Sequence, residues 1–261
     1  MDEVKNSSRN TKNVIVLSIC QALFNSGRTL TFIAASLVSI TMLGDNLTFV
    51  TAPITMMLVG TAASTLPSAF IMRQLGRKWG FVIGALVGTI GSGVAAHAVA
   101  IDSFMLFNLG LFLFGLYGGT AQQYRFAAAD AAPEHIKAKS VSIVISMGVV
   151  GAFVGPETTL MTKNLLSTIP FEGTFWALGV FCFAAAVIVL GIDIPNLTEE
   201  ESQESGRPLS EIVVIPTFIV ALVAALFGYA VMNLLMTATP VTMRVDVFAD
   251  NNIARVIQWH V

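Results

Sequence analysis

The sequence predicts an all-α membrane protein, and three observations support this fold class. Of its 261 residues, 55% are hydrophobic and only 11% are Asp, Glu, Lys or Arg, whereas soluble domains carry roughly 25% charged residues. The mean hydropathy is +0.77, so most side chains need non-aqueous surroundings. Apolar stretches of about 18 residues or more recur along the chain, and this length crosses a bilayer as a helix.

Seven membrane helices and the start of an eighth are predicted from these stretches. The first follows a polar segment at residues 1–13. It is too long for the apolar core of a signal peptide, so we expect an uncleaved span. The eighth begins near Ile253 and is cut off at the last residue. The seven spans cover residues 14–43, 49–72, 79–100, 104–128, 140–161, 174–192 and 212–240.

The basic residues predict the orientation in the membrane. If the N-terminus is cytoplasmic, ten Lys and Arg residues lie in cytoplasmic segments and three lie outside, namely Lys163, Arg244 and Arg255. Arg28 lies within a span, which accounts for all 14 Lys and Arg residues. This excess follows the positive-inside rule. We therefore expect residues 1–13 in the cytoplasm. Because this polar N-terminus lacks a transit-like stretch, we expect an integral protein of the cell (inner) membrane.

Residues 195–211 divide the chain into two parts. This segment is rich in Glu and Ser. A composition this polar cannot bury a core, so it predicts a solvated cytoplasmic linker. The linker separates a six-helix bundle at 14–194 from the start of a second bundle at 212–261, which holds the seventh helix and a truncated eighth. Among Asn, Ser, Gln and Gly it carries Glu199, Glu200, Glu201, Glu204 and Arg207.

Several classes of function are excluded by what the sequence lacks. The Lys and Arg residues are too few and too scattered to follow a phosphate backbone, which excludes nucleic-acid binding. Cys20 and Cys182 both lie in apolar stretches, which excludes a disulfide framework and a four-ligand zinc site. The motifs of zinc proteases, serine hydrolases and phosphate-binding loops are absent, as is a channel filter. We expect neither an enzyme nor a channel, and no cofactor or metal.

One face of the first span is polar, although a lipid-facing helix gains nothing from polar side chains. Ser18, Gln21, Asn25 and Arg28 follow at steps of three, four and three, which places them on one side of a helix. Arg28 lies roughly 21 Å along the span, where an unpaired guanidinium costs several kcal/mol. We interpret Gln21, Asn25 and Arg28 as substrate-binding residues, with Arg28 anchoring an anionic or strongly polar group. A structural ion pair or polar helix contact is the alternative.

Three further sets of polar residues are candidates. Glu157 is the only carboxylate placed within a span, which makes it the candidate proton carrier, or else a water-exposed acid near the outer interface. In the seventh span, Tyr229 and Asn233 recur at a step of four and predict further substrate contacts, or else interhelical hydrogen bonds. The end of the fourth span would line the inner mouth of a cavity or anchor the helix at the interface. Its polar residues are Tyr117, Thr120, Gln122, Gln123, Tyr124 and Arg125.

Two short motifs resemble signatures of the major facilitator superfamily. The turn between the second and third spans ends in Gly76-Arg77-Lys78, like the Gly-Arg-Arg/Lys of the family. Arg73 stands where the family has an acid, and Ala69 stands where it has a glycine. In the family this acid pairs with basic helix ends and latches the outward-open state. The resemblance implies a gating turn, in which we expect Asp130 beside the fourth span to pair with Arg73 in a reversed arrangement.

The second motif lies in the fifth span. Gly151, Gly155 and Pro156 resemble the Gly-x-x-x-Gly-Pro of the family, which is associated with antiporters. Proline would bend the helix just before Glu157, and the glycines would let helices approach closely. The arginine that the family carries early in the fourth span is replaced by Leu111, so that motif is missing.

The resemblance implies a secondary active transporter that moves a small solute by alternating access. Two six-helix bundles would rock about a central site. Proton-coupled efflux is the favoured mode, and import of a nutrient or organic anion is the alternative. A truncated, non-transporting protein or subunit is the alternative from another class. Because the superfamily has twelve helices, we expect the sequence to be part of a longer chain that acts as a monomer in the bilayer, with a small solute and protons as partners.

Overall fold

The computed structural model describes residues 2–44, 46–166, 169–194 and 209–260, and over these ranges it contains helices and turns but no strand. This confirms the predicted all-α class. Two short 3-10 turns lie at Leu47–Phe49 and Glu134–Ile136. The α-helices of these ranges are α1 (Asp2–Leu43), α2 (Ala52–Ala100), α3 (Phe104–Ala121), α4 (Tyr124–Asp130), α5 (Lys137–Ser146), α6 (Gly148–Thr162), α7 (Glu172–Val189), α8 (Leu209–Ile212), α9 (Pro216–Val245) and α10 (Asp250–His260).

Six helical segments of the described chain are long and apolar enough to cross a membrane. The second segment has 54 residues and contains the predicted second and third spans, because the chain reverses within it. Helix α10 begins three residues before the predicted start of the eighth span at Ile253. The six segments are Arg9–Leu43, Leu47–Ala100, Phe104–Asp130, Glu134–Thr162, Glu172–Val189 and Pro216–Val245.

The reversal within α2 depends on Gly76. Its φ of 83° and ψ of 160° lie in a region that residues with a Cβ rarely adopt, whereas glycine adopts it freely. The first arm of α2 (52–75) and the second arm (77–100) therefore pack side by side, and the Met72 side chain contacts Gly80. The turn predicted between the second and third spans is confirmed.

Helix α3 packs against both arms of α2. On the first arm, the hydroxyl of Thr61 donates a hydrogen bond to the carbonyl oxygen of Gly115 at 3.1 Å. On the second arm, a Cβ built on Gly88 would lie 2.8 Å from the ring of Tyr117. The small residues let α3 and the two arms approach closely, so together they form one side of the bundle.

Two spans that were predicted as uninterrupted are divided in the structure. The fourth is split into α3 and α4 at Gln122 and Gln123, and the fifth is split into α5 and α6 at Met147. At both places the helix tightens into bonds between residues i and i+3. The amide of Phe126 donates to the carbonyl of Gln123 at 3.1 Å, and the amide of Val150 donates to that of Met147 at 3.2 Å. Apolar length alone does not reveal such local changes of hydrogen bonding.

Helix α1 contacts both α6 and α7, and its contact with α6 is close. A Cβ added to Gly151 would lie 2.6 Å from the amide nitrogen of Ser26, and one added to Gly155 would lie 2.5 Å from the Ser26 carbonyl oxygen. Pro156 is buried beside them, and α6 continues past it to Thr162. The fifth-span motif therefore lies in the α1–α6 interface, where a larger side chain would force the helices apart.

The two ends of the bundle differ in the segments that they contain. Asn13 joins α1 to the end of the sixth span, because its side chain donates to the Asp193 carbonyl at 2.8 Å and accepts from the Asp193 amide at 2.9 Å. We call this end the Gly76 end, and it contains Gly76, residues 122–139 and residues 190–194. We call the opposite end the Asp250 end, and it contains residues 46–51, 101–103 and 246–250.

The linker predicted at 195–211 lies outside the described residues from 195 to 208. It stays a prediction, together with the domain boundaries that depend on it. The chain is described again from α8 onwards, and α9 then runs from the Gly76 end to the Asp250 end.

Candidate functional site

A cavity of about 720 Å³ lies between α1, the first arm of α2, α3 and α9. Its walls combine aromatic rings with two arginines and several neutral polar groups, and none of the described lining residues is Asp or Glu. The cavity therefore presents cationic and aromatic surfaces to a solute. The aromatic residues are Phe24, Phe114, Phe126 and Tyr229, and the polar ones are Arg28, Thr61, Thr65, Gln122, Gln123, Arg125 and Asn233.

Arg28 stands in the part of the wall that α1 contributes. Its guanidinium carbon lies 5.6 Å from the centre of the Phe32 ring and 5.8 Å from the centre of the Tyr229 ring. Contacts of a cation with ring faces partly replace the hydration that a half-buried guanidinium loses. Among the described residues Arg28 forms no ion pair with a carboxylate. The structural ion pair that was the alternative interpretation is not formed in this part of the chain.

Gln21 and Asn25 are not among the residues that line the cavity. Asn25 packs against Gly148 and Gly151 of α6, and Gln21 is half-buried. Three residues of helix turn by about 300°, so Asn25 lies about 60° around α1 from Arg28. The sequence pattern placed them on one broad face, but the packing of α6 and α9 divides that face between two neighbours.

Tyr229 and Asn233 reach the cavity from α9. The Asn233 amide donates to the Tyr229 carbonyl at 2.7 Å, and its buried side-chain oxygen has no hydrogen-bond partner in the described part of the chain. Of the five residues predicted to contact substrate, the structure thus brings Arg28, Tyr229 and Asn233 to one cavity. Substrate contact by these residues stays a prediction.

The gating motif lies at the Gly76 end. The guanidinium of Arg77, at the start of the second arm of α2, forms an ion pair with the carboxylate of Asp130, at the end of α4. Asp130 therefore has a basic partner from the predicted motif. The pairing expected between Asp130 and Arg73 stays a prediction, as does the gating role of Arg73, Arg77 and Lys78.

Glu157 lies outside the cavity, towards the Asp250 end. Its Oε1 accepts a hydrogen bond from Nη1 of Arg255 on α10 at 2.5 Å, and the same Nη1 donates to Gln258 at 2.8 Å. The Glu157 side chain is 43% exposed, and its position near the outer interface stays a prediction. The structure thus joins the candidate proton carrier to a cation from the second half of the chain.

A second ionic contact joins α6 to the second half at the same end. Asp250 binds Nζ of Lys163 through Oδ2 and Nη1 of Arg244 through Oδ1, both at 3.1 Å. The rings of Phe153 and Trp259 meet edge to face with centroids 5.9 Å apart. Helices α9 and α10 are therefore held to the first bundle at the Asp250 end by charge and by ring packing.

Sequence reasoning missed the contribution of the second span to the cavity. Thr61 and Thr65 line it, and Gln123 donates a hydrogen bond to Oγ of Ser68 at 2.9 Å. A usable signal was present, because Thr61, Ser64, Thr65 and Ser68 recur at helical spacing. The described residues contain no group of three or more His, Cys, Asp or Glu that would hold a metal ion.

Comparisons with known proteins agree with this geometry. The chain is 35% identical over 252 residues to the riboflavin transporter RfnT of Brucella anthropi. This alignment covers 96% of the chain and 63% of that transporter. It is 28% identical over 142 residues to the galactose-proton symporter of Escherichia coli. This alignment covers 52% of the chain and 28% of the symporter. The solved structure of a D-xylose-proton symporter matches with a TM-score of 0.66 at 15% identity, over 96% of this chain and 65% of that one.

The family model of the Major Facilitator Superfamily matches residues 17–250. The chain spans 63% of the length of the riboflavin transporter, and its apolar helices make it an integral membrane protein. The match to the family model extends over both the six-helix bundle and α9. The chain therefore belongs to the Major Facilitator Superfamily, whose members are transporters and not enzymes.

Proposed function

We propose that the protein is a secondary active transporter that moves a small solute across the cell (inner) membrane as a monomer. The observation that carries this proposal is the cavity of about 720 Å³ between the first bundle and α9. Its wall contains Arg28 from α1 and Tyr229 with Asn233 from α9, so both halves of the chain reach one site. Sites between two repeats are where transporters of this architecture bind solutes.

The packing of α9 supports alternating access. Within α9, Met236, Thr237 and Pro240 are buried against the bundle, and Tyr229 and Asn233 line the cavity. The first bundle and α9 are thus in contact at the Asp250 end. With the N-terminus in the cytoplasm, as the distribution of basic residues favours, this contact lies on the outer side of the membrane.

Riboflavin is the first solute to test. The relative named as a riboflavin transporter is 35% identical over nearly the whole chain, and the cavity offers four aromatic side chains for a flat ring. Glu157 is the candidate proton carrier, because protonation would release Arg255 and loosen the contact between the halves at the Asp250 end. The Gly151–Pro156 motif favours export, whereas a relative named as a proton symporter favours import.

One experiment tests both transport and its direction. The protein, expressed at its natural length, is reconstituted into liposomes, and accumulation of radiolabelled riboflavin is followed with either the lumen or the medium made acidic. We expect accumulation above that of protein-free liposomes. An acidic lumen drives it if the protein is an antiporter, and an acidic medium drives it if the protein is a symporter. Accumulation that never exceeds the protein-free level would contradict the proposal.

Glu157→Gln separates coupling from transport. We expect this variant to exchange riboflavin across the membrane at equal pH but to lose the response to the pH gradient, because it cannot take up a proton. Thr158→Val, which changes the neighbouring residue without touching the carboxylate, should keep that response. An unchanged gradient response in Glu157→Gln would exclude Glu157 as the proton carrier.

A further inference from the structure

Six arginines of the described chain fall into two groups that differ in their partners. Four of them bind a carboxylate, in the pairs Arg9–Asp193, Arg77–Asp130, Arg244–Asp250 and Arg255–Glu157. Arg28 and Arg125, the two that line the cavity, bind no carboxylate among the described residues. Their guanidinium groups lie over aromatic rings instead, with the Arg125 carbon 4.9 Å from the centre of the Phe126 ring.

The cavity therefore carries two positive charges that this part of the protein does not neutralise. A ring face attracts a guanidinium only weakly, whereas a carboxylate or phosphate accepts two parallel hydrogen bonds from it. Charges of one sign in a cleft with apolar walls also concentrate the field and attract ions of the opposite sign. The arrangement favours an anion as the missing partner of Arg28 and Arg125.

The remaining walls define the rest of the solute. Phe24 and Phe114 present apolar surface to the cavity, and the ring of Tyr229 on α9 lies against the Arg28 guanidinium. Flat aromatic solutes gain both ring contacts and apolar burial in such a site. Thr61, Gln122 and Asn233 add neutral groups that fix the orientation of a solute by hydrogen bonds.

We infer that the cavity binds a flat aromatic solute that carries an anionic group, a carboxylate or a phosphate, which pairs with Arg28 and Arg125. This inference rests on the proposed transport function and narrows its substrate class. An uncharged aromatic solute enters the same cavity but leaves both guanidinium groups without an anionic partner, so it binds more weakly.

Three flavins that share one ring system test this inference. Riboflavin is uncharged at pH 7, carboxymethylflavin carries a carboxylate, and riboflavin 5′-phosphate carries a phosphate. Their binding to the protein, expressed at its natural length in lipid nanodiscs, is measured from the flavin fluorescence at low salt. We expect one or both anionic flavins to bind more than about 100-fold tighter than riboflavin, and the flavin with the higher affinity tells carboxylate from phosphate.

Variants assign the preference to the two arginines. Arg28→Gln combined with Arg125→Gln should abolish the preference for the anionic flavins over riboflavin. Arg28→Lys keeps the positive charge and should keep most of the preference for the anion. Loss of the preference in the double variant would then result from the lost charge and not from a folding defect. Arg9→Gln, which removes an arginine already paired with Asp193 outside the cavity, is the matched control and should bind all three flavins like the parent.

The outcomes separate this inference from the transport proposal. Riboflavin binding as tightly as both anions, or an anion preference that survives in the double variant, would overturn the inference while riboflavin exchange in liposomes still supports transport. Binding by none of the three flavins would also overturn it. Absence of flavin exchange in liposomes together with tight anion binding would overturn only the transport proposal.

Discussion

The cavity and the Asp250 end use arginine in opposite ways. At the Asp250 end, Arg244 and Arg255 each bind a carboxylate, and these ion pairs hold α9 and α10 in a fixed position. In the cavity, Arg28 and Arg125 lie over rings and have no carboxylate partner among the described residues. A charge that is satisfied within the protein stabilises a contact between helices, whereas one without an internal partner is available to a solute.

The largest expected effect is at Arg28. Arg28→Ala removes one of the two cationic side chains that line the cavity, so we expect the affinity for an anionic aromatic solute to fall about 100-fold. Arg244→Ala, at the end of α9 and outside the cavity, should change the affinity less than about threefold. Equilibrium binding in nanodiscs measures both variants. If the affinity of Arg28→Ala stayed within twofold of the parent, Arg28 would not be a residue that binds the solute.

The next effect is at the Gly76 end, where Asp130 pairs with Arg77. Asp130→Arg brings like charges together, and we expect the transport rate to fall about tenfold. Combining it with Arg77→Asp should restore most of the rate if Arg77 is the working partner, whereas combining it with Arg73→Asp should restore it if the reversed motif is correct. Initial rates in liposomes distinguish the two. Failure of both double variants would mean that neither ion pair gates transport.

A smaller effect is expected at Asp250, which binds Lys163 and Arg244 together. Asp250→Asn weakens two half-exposed ion pairs worth up to about 1 kcal/mol each, so the contact between α6 and α10 should open several-fold more often. Disulfide cross-linking between Phe153→Cys and Trp259→Cys reports this opening, because the native rings meet at this contact. The same cysteine pair with native Asp250 is the control. An unchanged cross-linking rate would show that the ion pairs do not hold this end closed.

The smallest effect on the contact between the halves is expected from the single pair of Glu157 and Arg255, which is largely exposed. Arg255→Glu should speed opening about twofold, and combining it with Glu157→Arg should return the rate to that of the parent, because a pair of opposite sign forms again. The same cross-linking assay measures this change. Opening that stays fast in the double variant would show that the two residues do not act as a pair.

The helical spans and the main polar residues could be predicted from the sequence because both follow from the cost of burial in lipid. Uninterrupted apolar length revealed the spans, and Arg28 stood out because a guanidinium at that depth needs a special environment. The turn at Gly76 was predicted from a short motif, and its positive φ explains why glycine is present there.

The direction of each polar side chain was harder to predict. Asn25 and Arg28 belong to one face by spacing, yet Asn25 meets α6 and Arg28 meets the cavity, because a face about 60° wide can contact two neighbouring helices. The breaks at Gln123 and Met147 depend on single hydrogen bonds that hydropathy does not reveal. The partner of Glu157, Arg255, lies 98 residues away in sequence, beyond the reach of any local pattern.

By itself, the sequence determined that the chain is a bundle of membrane helices with an arginine inside the first span, because hydrophobic length and buried charge act locally along each helix. Only the tertiary structure decided which charges have partners. The pairing of Glu157 with Arg255, and the absence of a described carboxylate beside Arg28, depend on how α9 and α10 pack against the first bundle. Electrostatic energy depends on distances in space, and these distances exist only after the helices have packed.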